Sequence, residues 1–410
     1  MSSQMSATAV EGIEFDPYDH ALQDDPYPTY ARLRREDPFH HNVEHDFWVI
    51  SRHADVHAAW RSDSAYSNSM GVTLDASAWN KHAHLVMSFL AMDPPRQTRL
   101  RRLVSKGFTP RRVAQMQPNI QKITTLYLDK ALAAGGTISF DWISEVAGKI
   151  PMDVISEMLG VPEADRDEVR RLADLLVVRE DGLRDVPQAG IDASMQLFEY
   201  YREHVARRHR EPTDDLTSAL IAAEDEGDRM TDDEVIAFLF LMVVAGNETT
   251  TKLLGNALYN LTRHPDQRDR VFADPALVNP WIEETLRYDA STQLLARYLV
   301  EDVTLHGRTA PAGSQVLFAV GAANHDEAVF TNPDDFDIDR PQEELAQLLS
   351  FGGGRHFCLG ANLARLEARV ILDELVRRVR TVDVDHDSCE RFYSANVRGF
   401  AHVPLTVEVR

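Results

Sequence analysis

One helix limits what this chain can become. Thr231-Asp-Asp-Glu234 has the form of a capping box, in which a threonine and a glutamate three residues on satisfy each other's backbone amides. The helical pattern runs from there to about Arg263, on the order of 50 Å at ~1.5 Å per residue. Residues 235–245 are apolar nearly all round, so other elements must enclose them. The apolar run is still shorter than the ~20 residues that span a bilayer. Then Ala245-Gly246-Asn247-Glu248-Thr249-Thr250 places polar groups in that core. Glycine inside a helix costs roughly 1 kcal/mol against alanine, and a buried carboxylate costs more unless paired. Two local rules broken together point to a functional site, the alternative being a polar end where burial stops. A threonine hydroxyl bonded to the carbonyl four residues back loosens the helical ladder. Ala245, Glu248 and Thr249, at i, i+3 and i+4, are expected on one face.

The second constraint is Phe351-Gly-Gly-Gly-Arg-His-Phe-Cys358-Leu-Gly360. Glycine tolerates positive φ and has no Cβ, so this backbone can fold back closely. Leu363, Leu366, Val370 and Leu375 then mark a helix, with Arg365, Glu367 and Arg369 between them. Cys358 sits at the mouth of that helix, where free amides and the positive dipole end favour a thiolate. A structural cysteine leaves the glycines without a purpose. A nucleophile needs a base, and His356, two residues away on the same loop, is badly placed to take the proton. A soft, anionic ligand for haem iron is the third reading. The pattern Phe-x-x-Gly-x-His-x-Cys-x-Gly resembles the haem-binding loop of the cytochrome P450 monooxygenases.

That resemblance extends along nearly the whole chain and implies roles for other residues. Cys358 becomes the axial ligand of haem b, within a loop that includes Phe351, Gly352 and Gly360. Ala245 flanks the haem, and Glu248 and Thr249 match the acid–alcohol pair that delivers protons during oxygen activation. Seven basic residues lie between Arg96 and Arg112, and Arg101 matches an arginine that binds a haem propionate. Gln97 stands where relatives usually have histidine, so that propionate contact is made by an amide or lost. Arg297 and His356 are implied to face the propionates as well. Glu284-Thr-Leu-Arg287 alone is a helical ion pair worth ~0.2–0.5 kcal/mol. With Arg340 it resembles the family's structural ion triad, and breaking a buried triad costs ~3–5 kcal/mol. The apolar 64–90 stretch supplies Val72 and Leu90 as pocket wall, together with Leu74, Leu241, Val244 and Leu294.

The expected fold is a single, mainly α domain over 15–410 with small β-sheets, after a disordered tail over 1–14. Haem lies between the long helix and the cysteine loop. A net charge of −22 argues against nucleic acid as a partner. Two cysteines suit a reducing compartment, and residues 1–20 lack the apolar core of a signal peptide. The expectation is a soluble, cytoplasmic monooxygenase. It takes electrons from a ferredoxin and an NAD(P)H-dependent reductase, having no flavin or iron–sulfur segment of its own. Its expected substrate is hydrophobic: a terpenoid, steroid, fatty acid or polyketide. Peroxide-driven or non-oxygenating haem chemistry is the alternative among enzymes, and a haem sensor or carrier the alternative outside them.

Overall fold

The computed structural model describes residues 12–410, apart from 63, 181, 182 and 226. Most of the tail expected over 1–14 lies outside the described residues, while Ile13 is buried in one cluster with Phe15 and Leu33. The central helix spans Asp232–Thr262, and its capping box closes. Thr231 Oγ1 accepts from the Glu234 amide at 3.2 Å, and Glu234 Oε2 accepts from the Thr231 amide at 3.0 Å. Helices Ile150–Leu159, Gln188–Arg210, Val278–Tyr288 and Ala361–Arg378 pack around it. Among the described residues it is the one helix long and apolar enough to cross a membrane, yet 67% of its apolar window is buried inside the protein. It is the core helix its pattern demands.

A five-stranded mixed sheet packs against the helices Tyr27–Glu36 and His53–Ala59, in the order Phe39–Asn42, Phe47–Ile50, Gln315–Ala319, Leu294–Leu299, Tyr66–Ser67. The middle strand is parallel to Phe47–Ile50 and antiparallel to Leu294–Leu299, so Val316 stands opposite both Trp48 and Arg297. Arg297 is therefore inside a strand, whereas its sequence reads as lying before one. A strand covered on both faces lacks the polar alternation that would announce it. Thr137–Asp141, in a stretch that reads as mostly helical, is also a strand. Its partner, Pro404–Val409, comes from the far end of the chain.

The charged triad fixes the ground beneath the cysteine loop. Glu284 accepts from Arg287 at 2.6 and 2.9 Å and from Arg340 at 2.9 Å, with all three side chains buried. Arg287 also donates to the carbonyls of Asn324, Pro333 and Asp335, and Arg340 to that of Thr331. The triad thereby ties residues 324–340 to the helix Val278–Tyr288.

Candidate active site

The cysteine loop folds as its glycines permit. Gly352 and Gly354 take φ of +70° and +60°, and a Cβ on Gly354 would collide with the Trp60 carbonyl oxygen. The Cys358 amide donates to the Phe351 carbonyl at 2.8 Å, and Arg365 stands 4.5 Å from the Phe351 ring centre. The helix Ala361–Arg378 opens directly after Gly360, so the amides of Gly360 and Ala361 donate to the sulfur. Cys358 is exposed to the cavity, and desolvation by the protein around it nevertheless holds its thiol above its ordinary pKa, against those amides and the charges of Arg101 and Arg365. A cysteine so placed ionises readily when a metal cation takes the proton's place.

Across from Cys358, the central helix presents Leu241, Ala245, Gly246 and Thr249 to a cavity open to solvent at its mouth. Val72 and Leu90 line it as expected; Leu74, Val244 and Leu294 do not. Leu294 is buried on the other side of its strand with Phe15 and Tyr30, and its neighbour Leu295 takes the cavity side. One residue in a strand changes the face. Leu74 packs on that same second cluster, and Val244 turns into the main core.

Thr249 Oγ1 donates to the Ala245 carbonyl at 3.0 Å, the four-back bond the sequence suggests, yet the helix runs through unbroken. Glu248 leaves the shared face. Its carboxylate is 5% exposed, with Oε2 3.2 Å from Lys252 Nζ, and Asn247 Nδ2 donates to Oε1 at 3.2 Å. Lys252 is itself buried and donates to the Phe400 carbonyl at 3.2 Å. An ion-pair partner one turn along the helix has outweighed the cavity.

Three basic side chains reach the cavity edge: Arg101, Arg297 and His356. Arg101 Nη2 donates to the Phe357 carbonyl at 2.6 Å. Arg297 is 3% exposed, donates to the Ala296 carbonyl at 2.7 Å, and is drawn down to a pKa of about 10 by burial. Burial and the charges of Arg297, Arg101 and Arg355 push His356 down to about 3, so its ring is neutral, and Nδ1 is buried without a partner. A buried cation beside an unpartnered imidazole nitrogen fits a group with carboxylates on one edge and a metal above Cys358. Gln97 is not in this set. It does not line the cavity, and its Nε2 donates to the Arg355 carbonyl at 2.9 Å, bracing the cysteine loop from outside.

Residues 180–408 match the Cytochrome P450 family model. The chain belongs to the cytochrome P450 family. It is 53% identical over 398 residues to cytochrome P450 123 of Mycobacterium tuberculosis, covering 97% of this chain and 98% of that one. It is 37% identical to the vitamin D(3) 25-hydroxylase of Pseudonocardia autotrophica, over 99% of this chain and 100% of the relative. The structure of cytochrome P450 CYP109Q5 from Chondromyces apiculatus superposes with a TM-score of 0.85 at 35% identity, over 97% of this chain and 99% of that one. This P450 is accordingly a haem-thiolate monooxygenase, with protoporphyrin IX iron and a cysteine axial ligand.

Sequence reasoning missed several groups in the site of this P450. Trp60 lines the cavity and seats the glycine loop. The glycine run shows that something must approach closely, but not what. Glu367, read among the charged residues between apolar positions, is 3% exposed at the cavity, and burial holds its carboxyl well above the usual range. Its spacing carried a signal: it lies four residues after Leu363 and three before Val370, on the apolar face itself.

Proposed function

We propose that this P450 inserts one oxygen atom into a hydrophobic substrate of terpenoid, steroid, fatty-acid or polyketide type. Its electrons come from a ferredoxin and an NAD(P)H-dependent reductase. The observation that carries the substrate class is the wall of the cavity: Val72, Phe89, Leu90, Phe238, Leu241 and Leu295 close on Thr249 opposite Cys358. The name of the Pseudonocardia relative, a vitamin D(3) hydroxylase, supports a large apolar ligand.

Haem iron held by the Cys358 thiolate supplies the oxygen activation; the chain adds binding, orientation and protons. Arg101, Arg297 and His356 hold the haem carboxylates. The apolar wall orients the substrate and keeps bulk water out. The Thr249 hydroxyl, bonded to the Ala245 carbonyl, stands at the cavity face, and Glu248 is the acid that replenishes its proton on turning away from Lys252.

Substrate panels on the ferric holoprotein test this reading through the Soret shift that accompanies loss of a water ligand. Steroids or long-chain acids are expected to produce the shift and small charged compounds to leave it unchanged; the reverse would sink the substrate class. For Thr249→Ala, NADH consumption with a ferredoxin couple is expected to persist while peroxide replaces product. An unchanged product yield would remove Thr249 from its role.

A further inference from the structure

Among the described residues, three that line the cavity carry a buried polar atom without a partner: His356 Nδ1, Glu367 Oε2 and Ser291 Oγ. The first two stand in the Cys358 loop and on the helix Ala361–Arg378 that follows it, the side that holds the haem. Ser291 stands elsewhere, in the short link between the helix Val278–Tyr288 and the strand Leu294–Leu299. Other hydroxyls at the cavity are in use. Thr249, Thr250 and Ser350 donate theirs to the carbonyls of Ala245, Gly246 and Leu286. Ser291 is 6% exposed, and a buried hydroxyl with nothing to bond is both costly and uncommon.

The link is held too firmly to move and relieve it. The Ser291 carbonyl accepts from the Arg398 amide at 2.7 Å, and the Gln293 amide donates to the Asn396 carbonyl at 2.9 Å. Between them Thr292 bridges to Val397. What stays free is one side-chain torsion with three staggered positions. The partner must therefore come from the cavity. The wall of Val72, Phe89, Leu90, Phe238, Leu241 and Leu295 is hydrocarbon and offers neither donor nor acceptor. The haem carboxylates are assigned above to Arg101, Arg297 and His356, and the rest of the haem rim is hydrocarbon too. A substrate atom is the partner that remains.

We propose that Ser291 is a specificity residue: it hydrogen-bonds an uncharged oxygen of the substrate, in a ketone, ester or alcohol group, and so fixes which carbon faces the haem. The inference rests on the hydrophobic-substrate reading above and narrows it to apolar molecules that carry such an oxygen. Without substrate, water satisfies the hydroxyl. A pure hydrocarbon expels that water and leaves Ser291 bare, whereas an oxygen-bearing ligand takes the water's place. A hydroxyl both donates and accepts, so it serves a carbonyl or an alcohol equally.

The test titrates the ferric holoprotein, by its Soret shift, with matched pairs: cyclododecanone and cyclododecane, and a steroid ketone and its parent hydrocarbon. Comparing each variant with wild type on both members of a pair isolates the hydrogen bond from the rest of the ligand. Ser291→Ala is expected to lose on the order of tenfold in affinity for the ketones and to bind the hydrocarbons at least as tightly. Ser291→Thr keeps a hydroxyl and should keep the ketone affinity. With a ferredoxin couple, Ser291→Ala should spread oxygen over more carbons of the ketone than wild type does. Its reduced, carbon monoxide-bound spectrum should be unchanged. Equal changes for ketone and hydrocarbon overturn the role of Ser291, as does a ketone-specific loss in Thr292→Val in place of Ser291→Ala; both leave the hydrophobic-substrate reading intact. No Soret shift with any member of either pair overturns both.

Discussion

A buried arginine beside an imidazole that resists protonation is a costly arrangement until something anionic joins it. Arg297 is 3% exposed, and burial draws its pKa down to about 10. Arg297→Leu should therefore have opposite effects on two measurements. Hydrogen bonds to a charged group are worth about 1.5–3 kcal/mol, so haem affinity should fall roughly 10- to 100-fold. The apoprotein should be no less stable, because an uncompensated charge has been removed. Haem transfer to a scavenging globin and urea unfolding of the apoprotein measure the two; undiminished haem retention would take Arg297 out of the propionate site. At this scale the sequence was legible where chemistry dictates residue type, as at Cys358 and the glycines before it. It was not legible where a side chain chooses between neighbours. Glu248 turns to Lys252, whose own position depends on the distant Phe400 carbonyl, and Leu294 yields the cavity to Leu295 because strand register comes from pairing with 315–319.

Elements were legible in proportion to their periodicity. The central helix, read as 231 to about 263, spans Asp232–Thr262, because a capping box and an all-round apolar run leave no other solution. Thr137–Asp141 and the start of Leu294–Leu299 were not, because each depends on a partner strand far away in the chain. The ion triad also belongs to this scale, since it joins a helix to a long loop. Glu284→Gln leaves the guanidinium groups of Arg287 and Arg340 buried against a neutral amide. A loss of ~3–5 kcal/mol is expected, read as an earlier denaturant midpoint together with faster haem loss. The carbon monoxide spectrum of the surviving holoprotein should be unchanged, because the triad does not line the cavity. A large spectral change with little loss of stability would mean the triad acts on the ligand loop directly.

Over the whole molecule, two charge patterns compete. The net charge of −22 repels an acidic electron donor, while basic helices gather behind the cysteine loop. Not every cation there is available: Arg99 pairs with Asp228 and Glu234, and Arg102 and Lys106 with Asp225. Arg96, Arg111 and Arg112 remain exposed. The helix Pro110–Gln115 packs on Ala361–Arg378, the helix that starts just after the ligand loop. Gln97, next to Arg96, holds the loop's Arg355 carbonyl. At physiological ionic strength the screening length is about 8 Å, so a docking partner feels the nearest charges far more than the molecule's total. Steering by local charge then predicts that reduction by an acidic ferredoxin slows as salt rises. Arg112→Glu should lower the bimolecular rate severalfold at low salt and flatten the salt dependence, leaving the spectrum of the bound haem unaltered. Stopped-flow reduction under carbon monoxide at several ionic strengths separates the two patterns. A rate that instead climbs with salt would mean the overall negative charge governs the encounter, and the donor would have to be neutral or basic, or dock on another face.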